Sequence, residues 1–385
     1  MKTPTKLGHL GRPAKKGGAF VNPPAYRGST MLFSSFDELQ NPPLHYGYGR
    51  GGSPAQDDLA ELMLELEGGA YCKFMSCGQL AITGTLLALL KTGDHILVPD
   101  SVFYPMRHFC NLTLKAMGIK TTYYDPLIGG DISTLITDKT SLIYTESPGS
   151  DTFEIQDIPN ITAVAKNKGI LVAMDNTWAT PLFYRPLDHG VDISIHAATK
   201  YITGHSDAML GIVVANEKAG KKLKAPQSAM GLCPGSEEVF SALKGLRTLD
   251  VRMQRHQQNA LALTSWLEGR DEVSKVLYPG LTSFAGHELW KRDFSGSSGL
   301  FSIILKPCSK EALATMVDDL QLFGIGWSWG GYESLIVPLN AKGARTATGW
   351  KPSGPFLRIH AGLEDVEDLK NDLAQGFDRL RAHQD

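Results

Sequence analysis

The sequence predicts an α/β fold in which a mostly parallel sheet carries helices on both faces and a smaller α+β domain follows. Short apolar stretches alternate with helical stretches, as is typical of buried parallel strands, at residues 95–98, 121–124, 141–144, 170–174, 193–196 and 210–214. After predicted helices at 237–249 and 254–267 the pattern changes, with strands near 299–305 and 357–360 and a last helix over 365–381. The 385 residues are sufficient for two domains.

The chain begins with a predicted extended arm. Residues 1–50 are rich in glycine and proline and lack a sustained helical period, while their apolar side chains argue against a disordered tail. We therefore expect the arm to contact a neighbouring subunit. A helix is predicted from Ser53-Pro54 to Gly68 and another from Gly78 to Lys91. The predicted organisation is an arm (1–50), a large domain (51–246) and a C-terminal α+β domain (247–385).

Charge and cysteine content exclude several classes of function. The formal net charge is −2, so no strong field favours nucleic acid or an anionic membrane. The five cysteines lack the CxxC spacing of zinc sites and disulfide frameworks, and we predict no metal. No apolar stretch has the length of a signal peptide or a membrane span. These features predict a soluble, cytoplasmic protein without a nucleic-acid or membrane partner.

Two residues at predicted strand ends could hold pyridoxal 5'-phosphate. Asp175 ends an apolar run, and Lys200 follows the next strand among small polar residues. A lysine amine can carry this cofactor as a Schiff base, and a carboxylate can keep its ring nitrogen protonated. Open α/β sheets bind ligands at the carboxyl ends of their strands, where both residues are expected. Taken separately, Asp175 could be a helix N-cap and Lys200 a solvated surface charge.

A phosphate site is predicted nearby. Gly78 and Gln79 open a predicted helix, where free backbone N–H groups and the positive helix end favour an anion. Tyr48 and Arg50 lie in a glycine-rich segment, and a guanidinium can bind phosphate oxygens in a fork. Thr199 adds a hydroxyl next to Lys200. Each feature alone could be an ordinary turn or surface loop, and it is their combination that favours a cofactor site.

The C-terminal domain supplies candidates for binding a substrate carboxylate. Arg358 lies in an otherwise apolar predicted strand, and arginine in such a place favours a planar anion. Ser328 and Trp329 add a hydroxyl and an aromatic wall. The structural alternatives are an ion pair of Arg358 with an aspartate or glutamate, and a core position for Trp329.

Together these residues resemble the Cys/Met-metabolism family of pyridoxal-phosphate enzymes. The resemblance covers nearly the whole chain, with motifs at residues 48–54, 125–131, 146–150, 175–178, 197–201, 204–207, 328–334 and 358–365. It implies the PLP-dependent transferase-like fold, that is, the aspartate aminotransferase fold of type I. The segments 146–150 and 197–200 are similar to the branch that cleaves cystathionine by β-elimination.

The resemblance implies a role for each candidate residue. Lys200 and Asp175 would be catalytic and would bind the cofactor, while Ser328, Arg358, Trp329 and Tyr48 would bind the substrate. The remaining cofactor contacts would come from Gly78, Gln79, Thr199, Tyr48, Arg50, Ser150 and Phe103. Because Tyr48 and Arg50 would reach the cofactor of a neighbouring subunit, the family implies a homotetramer built from two active dimers.

Two positions depart from the family pattern. The tyrosine that stacks on the cofactor ring aligns with Phe103, and Tyr104 follows it. Either Phe103 stacks without a hydroxyl or Tyr104 turns inward, so both are kept as catalytic candidates. A tyrosine at the entrance of related sites is replaced by Phe240.

The implied activity is β-elimination of L-cystathionine, an amino-acid thioether, to homocysteine, pyruvate and ammonia in methionine biosynthesis. Alternatives on the same scaffold are cleavage of cystine or other cysteine S-conjugates, γ-lyase or γ-synthase chemistry, and alanine racemisation. An alternative of another class is a catalytically silent regulatory protein that binds pyridoxal phosphate.

Overall fold

A seven-stranded sheet forms the centre of the first part of the computed structural model, which describes residues 1–12, 20–340 and 345–383. Its strands are β1 (Tyr71–Met75), β2 (His95–Pro99), β3 (Lys120–Tyr124), β4 (Thr140–Glu146), β5 (Leu171–Asp175), β6 (Ile193–Ala197) and β7 (Gly211–Ala215). Their order across the sheet is β1-β7-β6-β5-β4-β2-β3. Among these strands β7 alone runs against the others, since it pairs antiparallel with both β1 and β6. The predicted mostly parallel sheet is confirmed.

Helices cover both faces of this sheet. The helices of this part of the chain are α1 (Thr3–His9), α2 (Phe36–Gln40), α3 (Pro54–Glu67), α4 (Gly78–Leu89), α5 (Tyr104–Phe109), α6 (Ile158–Asn167), α7 (Thr180–Phe183), α8 (Glu217–Ala229) and α9 (Ser236–Arg247). Helix α2 lies in the arm and has no buried residue. Buried side chains of α4, α5 and α8 pack on one face, and those of α3, α6 and α9 pack on the other. The continuous apolar strands therefore have both faces excluded from water.

Local sequence explains where α3 begins and ends. Ser53 is the N-cap, because its hydroxyl accepts a hydrogen bond from the Gln56 N–H at 3.3 Å, and Pro54 occupies the first helical position. The helix ends at Gly68, which adopts φ 74° and whose N–H donates to the carbonyl of Leu64. Glycine permits this left-handed conformation at little cost.

The second part of the chain forms a smaller α+β unit. It contains α10 (Leu249–Glu268), β8 (Val273–Leu277), α11 (His287–Asp293), β9 (Leu300–Leu305), α12 (Lys310–Asp318), β10 (Gly324–Ile325), β11 (Leu335–Leu339), β12 (Phe356–His360) and α13 (Val366–Ala382). The five strands follow the order β10-β11-β12-β9-β8. The helix break at Thr248 lies near the predicted boundary at residue 246, which stays a prediction.

The two parts share buried contacts. One apolar cluster joins Ile143 and Val172 of the first sheet to Phe301 and Ile359 of the second. The indole N–H of Trp178 donates to the carbonyl of Leu300 at 3.1 Å. Side chains from both sheets therefore contribute to one core.

The loop after residue 344 binds the large domain through a buried carboxylate. Asp100 follows β2 and accepts hydrogen bonds from the backbone N–H groups of Thr346, Ala347 and Thr348 at 2.8–3.1 Å. The same carboxylate pairs with the guanidinium of Arg107 at 2.5 Å, and both side chains are buried. Asp100 thus joins a loop of the C-terminal part to the carboxyl end of β2.

The N-terminal arm departs in part from the predicted extended form. Residues 3–9 are helical because Leu7 is buried against the large domain and Arg247 donates hydrogen bonds to the carbonyls of Leu7, Leu10 and Gly11. Residues 13–19 lie outside the described part of the chain. Several apolar side chains of the arm are exposed, and Leu32 is 94% exposed. Contact with a neighbouring subunit remains a prediction.

Candidate active site

The carboxyl ends of β5 and β6 bring two predicted residues to the same edge of the sheet. Asp175 is the last residue of β5, and Lys200 follows β6, with its N–H donating to the carbonyl of Ala197 at 3.0 Å. The hydroxyl of Thr177 accepts a hydrogen bond from the N–H of Ala197 at 2.9 Å. This bond fixes the segment after β5 against the end of β6. The ends of β5 and β6, which carry Asp175 and Lys200, are therefore held in a fixed position relative to each other.

Asp175 lies beside a second carboxylate. Its Oδ1 accepts a hydrogen bond from the Thr177 N–H at 2.9 Å, and Glu146 is its partner in the register between β4 and β5. Burial raises the pKa of Asp175, and burial together with the nearby Asp175 raises the pKa of Glu146 well above its usual value. A cation close to a buried carboxylate stabilises its charged form, so the end of β5 suits a protonated ring nitrogen.

Lys200 lies in a polar pocket lined by residues of the C-terminal part. Its Nζ donates to the Ser328 hydroxyl at 2.8 Å and lies 5.2 Å from the centre of the Trp329 ring. Burial, followed by the positive charge of Arg358, lowers the pKa of Lys200 to about 8. The fraction of neutral, nucleophilic amine near neutral pH is therefore much larger than for an ordinary lysine.

A close backbone contact holds the Ser328 segment against Lys200. Gly330 has φ 86°, and a Cβ atom there would lie 2.9–3.0 Å from backbone atoms of Lys200 and Tyr201. The N–H of Gly330 donates to Nε2 of the buried His360 at 3.1 Å. Only glycine combines this conformation with so close an approach.

The predicted phosphate-binding helix start lies against the end of β6. Helix α4 begins at Gly78, where a Cβ atom would lie 2.4 Å from the Cβ atom of Ala197. The first N–H groups of a helix have no acceptor within it, so those of Gly78 and Gln79 suit an anion. The Thr199 hydroxyl accepts a hydrogen bond from the Leu210 N–H at 3.0 Å.

Arg358 forms an ion pair across the two parts of the chain. From the middle of β12, its NH1 group lies 3.2 Å from Oδ1 of Asp151, and its NH2 group donates to the Trp327 carbonyl at 2.7 Å. The alternative of an ion pair, considered from the sequence, is therefore present in the structure. The guanidinium also lies close enough to Lys200 to lower the pKa of its amine.

Phe103 and Tyr104 lie in different surroundings. The Phe103 N–H donates to Oε2 of Glu146 at 2.9 Å, which places Phe103 beside the two carboxylates. Tyr104 is 65% exposed, and its ring stacks on His108 with centres 6.2 Å apart. Ser150 is fixed nearby by its N–H, which donates to the Ser101 carbonyl at 2.8 Å. This arrangement favours Phe103 as the residue next to a bound ring.

Tyr48 and Arg50 lie in a separate groove. The guanidinium carbon of Arg50 is 5.9 Å from the centre of the Tyr48 ring. A groove of about 720 Å³ between the arm and the segment 233–236 is lined by both residues, and neither Lys200 nor Asp175 contributes to it. The structure therefore separates this pair from the other candidates of the same chain.

Sequence analysis missed several residues of the site. Glu146 and Thr177 lie within motifs that were recognised, and their positions next to strand ends were the available signal. Asp151 follows Ser150 directly, but nothing in the sequence relates it to Arg358. His360, which was not among the sequence candidates, accepts a hydrogen bond from the Gly330 N–H and supports that segment.

The residues present fit pyridoxal phosphate. A lysine amine of lowered pKa, a buried carboxylate at a neighbouring strand end and a helix start with free N–H groups meet at one edge of the sheet. Within residues 1–12, 20–340 and 345–383, no group of three or more histidine, cysteine or acidic side chains could hold a metal ion. In the same residues no helix is long and apolar enough to cross a membrane.

Comparisons with known proteins agree on the family. A family model described as Cys/Met metabolism PLP-dependent enzyme matches residues 4–378. A Rhizobium johnstonii protein provisionally named cystathionine β-lyase is 46% identical over 97% of this chain and 95% of its own length. Other bacterial relatives named cystathionine β-lyase are 39–40% identical.

Relatives with other activities are also similar. An L-alanine/L-glutamate racemase of Wolbachia pipientis is 40% identical over 99% of this chain and 98% of its own length. The structure of a cystathionine γ-synthase from Xanthomonas oryzae in complex with cystathionine superposes with a TM-score of 0.92 at 33% identity, covering 99% of each chain.

Proposed function

Because the chain belongs to the Cys/Met metabolism family of PLP-dependent enzymes, we propose that it is a cystathionine β-lyase. The family membership makes it a pyridoxal-phosphate enzyme with the transferase-like fold predicted from the sequence. The proposed reaction converts L-cystathionine and water into homocysteine, pyruvate and ammonia. The lyase names among relatives of 39–46% identity support this choice.

The observation that carries the proposal is the position of the Lys200 amine. It lies 2.8 Å from the Ser328 hydroxyl, and its pKa of about 8 results from burial and from Arg358. A general base works best when its pKa is near the operating pH. An amine in this state, beside a guanidinium that can orient a carboxylate, suits removal of a proton from the α-carbon of an amino acid.

The cofactor would be held by residues that the strand ends and α4 bring together. Lys200 would carry it covalently, Asp175 would pair with its ring nitrogen, and Phe103 would lie beside the ring. Gly78 and Gln79 would bind the phosphate through backbone N–H groups, with Thr199 and Ser150 nearby. When bound, pyridoxal phosphate supplies an electron sink for the negative charge that develops at the substrate α-carbon.

The side chains of this protein would then perform the proton transfers. Arg358 and Ser328 would hold the substrate carboxylate, with Trp329 forming a wall of the pocket, so that the α-proton points at the Lys200 amine. Once the substrate amine has replaced it on the cofactor, the freed Lys200 amine would take that proton, the bond between Cβ and sulfur would break, and Lys200 would return a proton to the sulfur of homocysteine. Water would then convert the remaining three-carbon fragment into pyruvate and ammonia. Acid–base transfer by one positioned group contributes about 10²- to 10⁴-fold.

The groove that contains Tyr48 and Arg50 supports an oligomeric enzyme. The groove lined by these two residues contains neither Lys200 nor Asp175 of the same chain. The arm also exposes apolar side chains such as Leu32 and Phe36. We propose that Tyr48 and Arg50 complete the site of a neighbouring subunit in a homotetramer of two dimers. The five free cysteines are compatible with action in the cytoplasm.

Release of pyruvate from L-cystathionine by purified protein tests the proposal. The wild type and the control Lys221→Ala, at an exposed position of α8, are expected to release pyruvate and homocysteine in equal amounts. Lys200→Ala is expected to release neither above background. Release of 2-oxobutyrate and cysteine instead would assign γ-elimination. The absorbance of bound cofactor without turnover of any thioether would assign a silent binding protein.

Racemisation is the second candidate, because the racemase relative is as similar as several lyases. It begins with the same proton abstraction by Lys200 and needs a return of the proton to the opposite face of the α-carbon. Formation of D-alanine from L-alanine, with no pyruvate from cystathionine, would select it over the lyase. Pyruvate from cystine at a higher kcat/KM than from cystathionine would instead select cleavage of cysteine S-conjugates.

A further inference from the structure

The guanidinium of Arg358 is already bound by a carboxylate of the same chain. Oδ1 of Asp151 lies 3.2 Å from NH1, and the Trp327 carbonyl accepts from NH2 at 2.7 Å. The Arg358 side chain is 11% exposed and that of Asp151 is 35% exposed, so the pair is partly accessible to solvent. Both terminal nitrogens of the guanidinium therefore have an acceptor in the free protein.

Asp151 is presented by a tight and well-supported loop. Its φ is 63°, a left-handed conformation that aspartate and asparagine adopt more readily than most residues. The Phe153 N–H donates to the Gly149 carbonyl within the turn, the Ser150 N–H donates to the Ser101 carbonyl of the segment after β2, and the Phe153 side chain is buried. The carboxylate is thus held at a fixed place.

A second arginine holds the other side of this loop. The NH2 group of Arg345 lies 2.8 Å from the carboxylate of Glu154 and also donates to the Thr152 hydroxyl. Burial raises the pKa of Asp151, and the positive charges of Arg358 and Arg345 oppose this shift. The loop therefore lies between two guanidinium groups, and Asp151 is the residue that points to Arg358.

We propose that Asp151 is a specificity-determining residue that competes with the substrate carboxylate for Arg358. The inference rests on the proposed role of Arg358 in binding the substrate. A carboxylate binds a guanidinium best through two parallel hydrogen bonds, and such a fork on NH1 and NH2 brings a second negative charge to the nitrogen that Asp151 already binds. Asp151 thereby keeps Arg358 in position when the site is free and weakens the binding of every small carboxylate.

The size of the effect follows from the exposure of the pair. Partly exposed ion pairs contribute little net free energy, so removing the competing charge should improve carboxylate binding by about three-fold. A ligand whose carboxylate is replaced by an amide has no charge for Asp151 to oppose. Removing the charge of Asp151 should therefore change the affinity for ligands with a carboxylate and leave the affinity for ligands with an amide unchanged.

The primary test measures how readily Arg358 reacts with phenylglyoxal, using mass spectrometry of the cofactor-loaded protein. Asp151→Asn is expected to raise the labelling rate of Arg358 at least three-fold, since asparagine preserves the loop conformation but not the ion pair. Asp188→Asn is the matched control, because Asp188 forms an ion pair of the same 3.2 Å length with Arg185 away from the site. Equal labelling rates of Arg358 in wild type and Asp151→Asn overturn the inference.

A second measurement separates competition from mere support of the fold. Titration of L-alanine and L-alaninamide, followed by the visible absorbance of the cofactor, is expected to show about three-fold tighter binding of alanine in Asp151→Asn and no change for alaninamide. Asp151→Gly, in which glycine also tolerates the left-handed conformation, should show the same changes in binding as Asp151→Asn. Weaker binding of alanine in both variants would overturn the inference, because Asp151 would then only position Arg358.

The two proposals fail in different ways. If the lyase proposal is wrong, pyruvate release from cystathionine is absent while the labelling rates still depend on Asp151. If the inference is wrong, pyruvate is released normally by the wild type and the labelling rates of Arg358 do not depend on Asp151.

Discussion

The close contact between Gly330 and the backbone of Lys200 predicts a measurable effect of adding one methyl group. Gly330→Ala places a Cβ atom at a residue with φ 86° and only 2.9–3.0 Å from atoms of Lys200 and Tyr201. The left-handed conformation costs about 1–2 kcal/mol for a residue other than glycine, and overpacking adds about 1–3 kcal/mol. We therefore expect the free energy of unfolding to fall by about 2–5 kcal/mol.

Gly93→Ala separates the two contributions. Gly93 has φ 90°, but a Cβ atom there would meet nothing within 4 Å, and the residue precedes β2 at the amino end of the sheet. This variant should lose only the conformational contribution of about 1–2 kcal/mol. The difference between the two variants then measures the contact with Lys200.

Urea unfolding and steady-state kinetics provide the assay. Gly330→Ala should also lower kcat, because its segment carries Ser328, which accepts the hydrogen bond of the Lys200 amine. Gly93→Ala should keep the kcat of the wild type. The reasoning would be refuted if Gly330→Ala were as stable and as active as Gly93→Ala.

Further predictions concern the cofactor, the lysine and the domain contact. Asp175→Asn should lower kcat about 100-fold at saturating cofactor, as expected from loss of a preorganised charge, and a kcat within a few-fold of wild type would contradict this role. In Gly78→Ala the new Cβ atom would lie 2.4 Å from that of Ala197, whereas in the control Gly130→Ala it would have no neighbour within 4 Å. Gly78→Ala should therefore need a several-fold higher concentration of pyridoxal phosphate than the control to regain half of its bound cofactor. In protein freed of cofactor, the rate of Lys200 acylation should rise with pH and reach half of its maximum near pH 8, because only the neutral amine reacts and the pKa of Lys200 is lowered to about 8. A midpoint near pH 10 would exclude a buried amine. Asp100→Ala should lower the free energy of unfolding by about 3–5 kcal/mol, since it leaves the buried Arg107 unpaired, and a change below about 1 kcal/mol in urea unfolding would be inconsistent with the structure.

The sequence was sufficient to predict most strands because the central ones are short and continuously apolar. The predicted strand at 193–196 is observed as Ile193–Ala197, and the predicted helix from Pro54 ends as expected at Gly68. Strand β1 was missed, since Tyr71–Met75 mixes a lysine and a cysteine with apolar residues at the edge of the sheet. The pairing of β1 with the antiparallel β7 depends on the topology of the whole sheet, and no local sequence pattern predicts it.

In the candidate active site, too, residues with a local sequence pattern could be predicted, and contacts set by the whole fold could not. Asp175 and Lys200 could be predicted because each follows an apolar strand and their chemistry is specific to one cofactor. The pairing of Asp151 with Arg358 could not, because 207 positions separate the two residues and only the folded sheets bring them together. The short helix at residues 3–9 depends in the same way on Arg247, whose guanidinium binds the carbonyls at its end.

The pairing of β1 with β7 has a consequence for synthesis of the chain. Tyr71 lies opposite Ala215, so β1 has no neighbouring strand until the ribosome has delivered β7. At about 5–20 residues per second this interval is on the order of ten seconds. During that time the β1 segment carries backbone groups that no sheet partner binds, and exposed strand edges pair readily with other chains. Truncated products that end before Gly211 should therefore aggregate, whereas chains released after Ala215 can close the sheet.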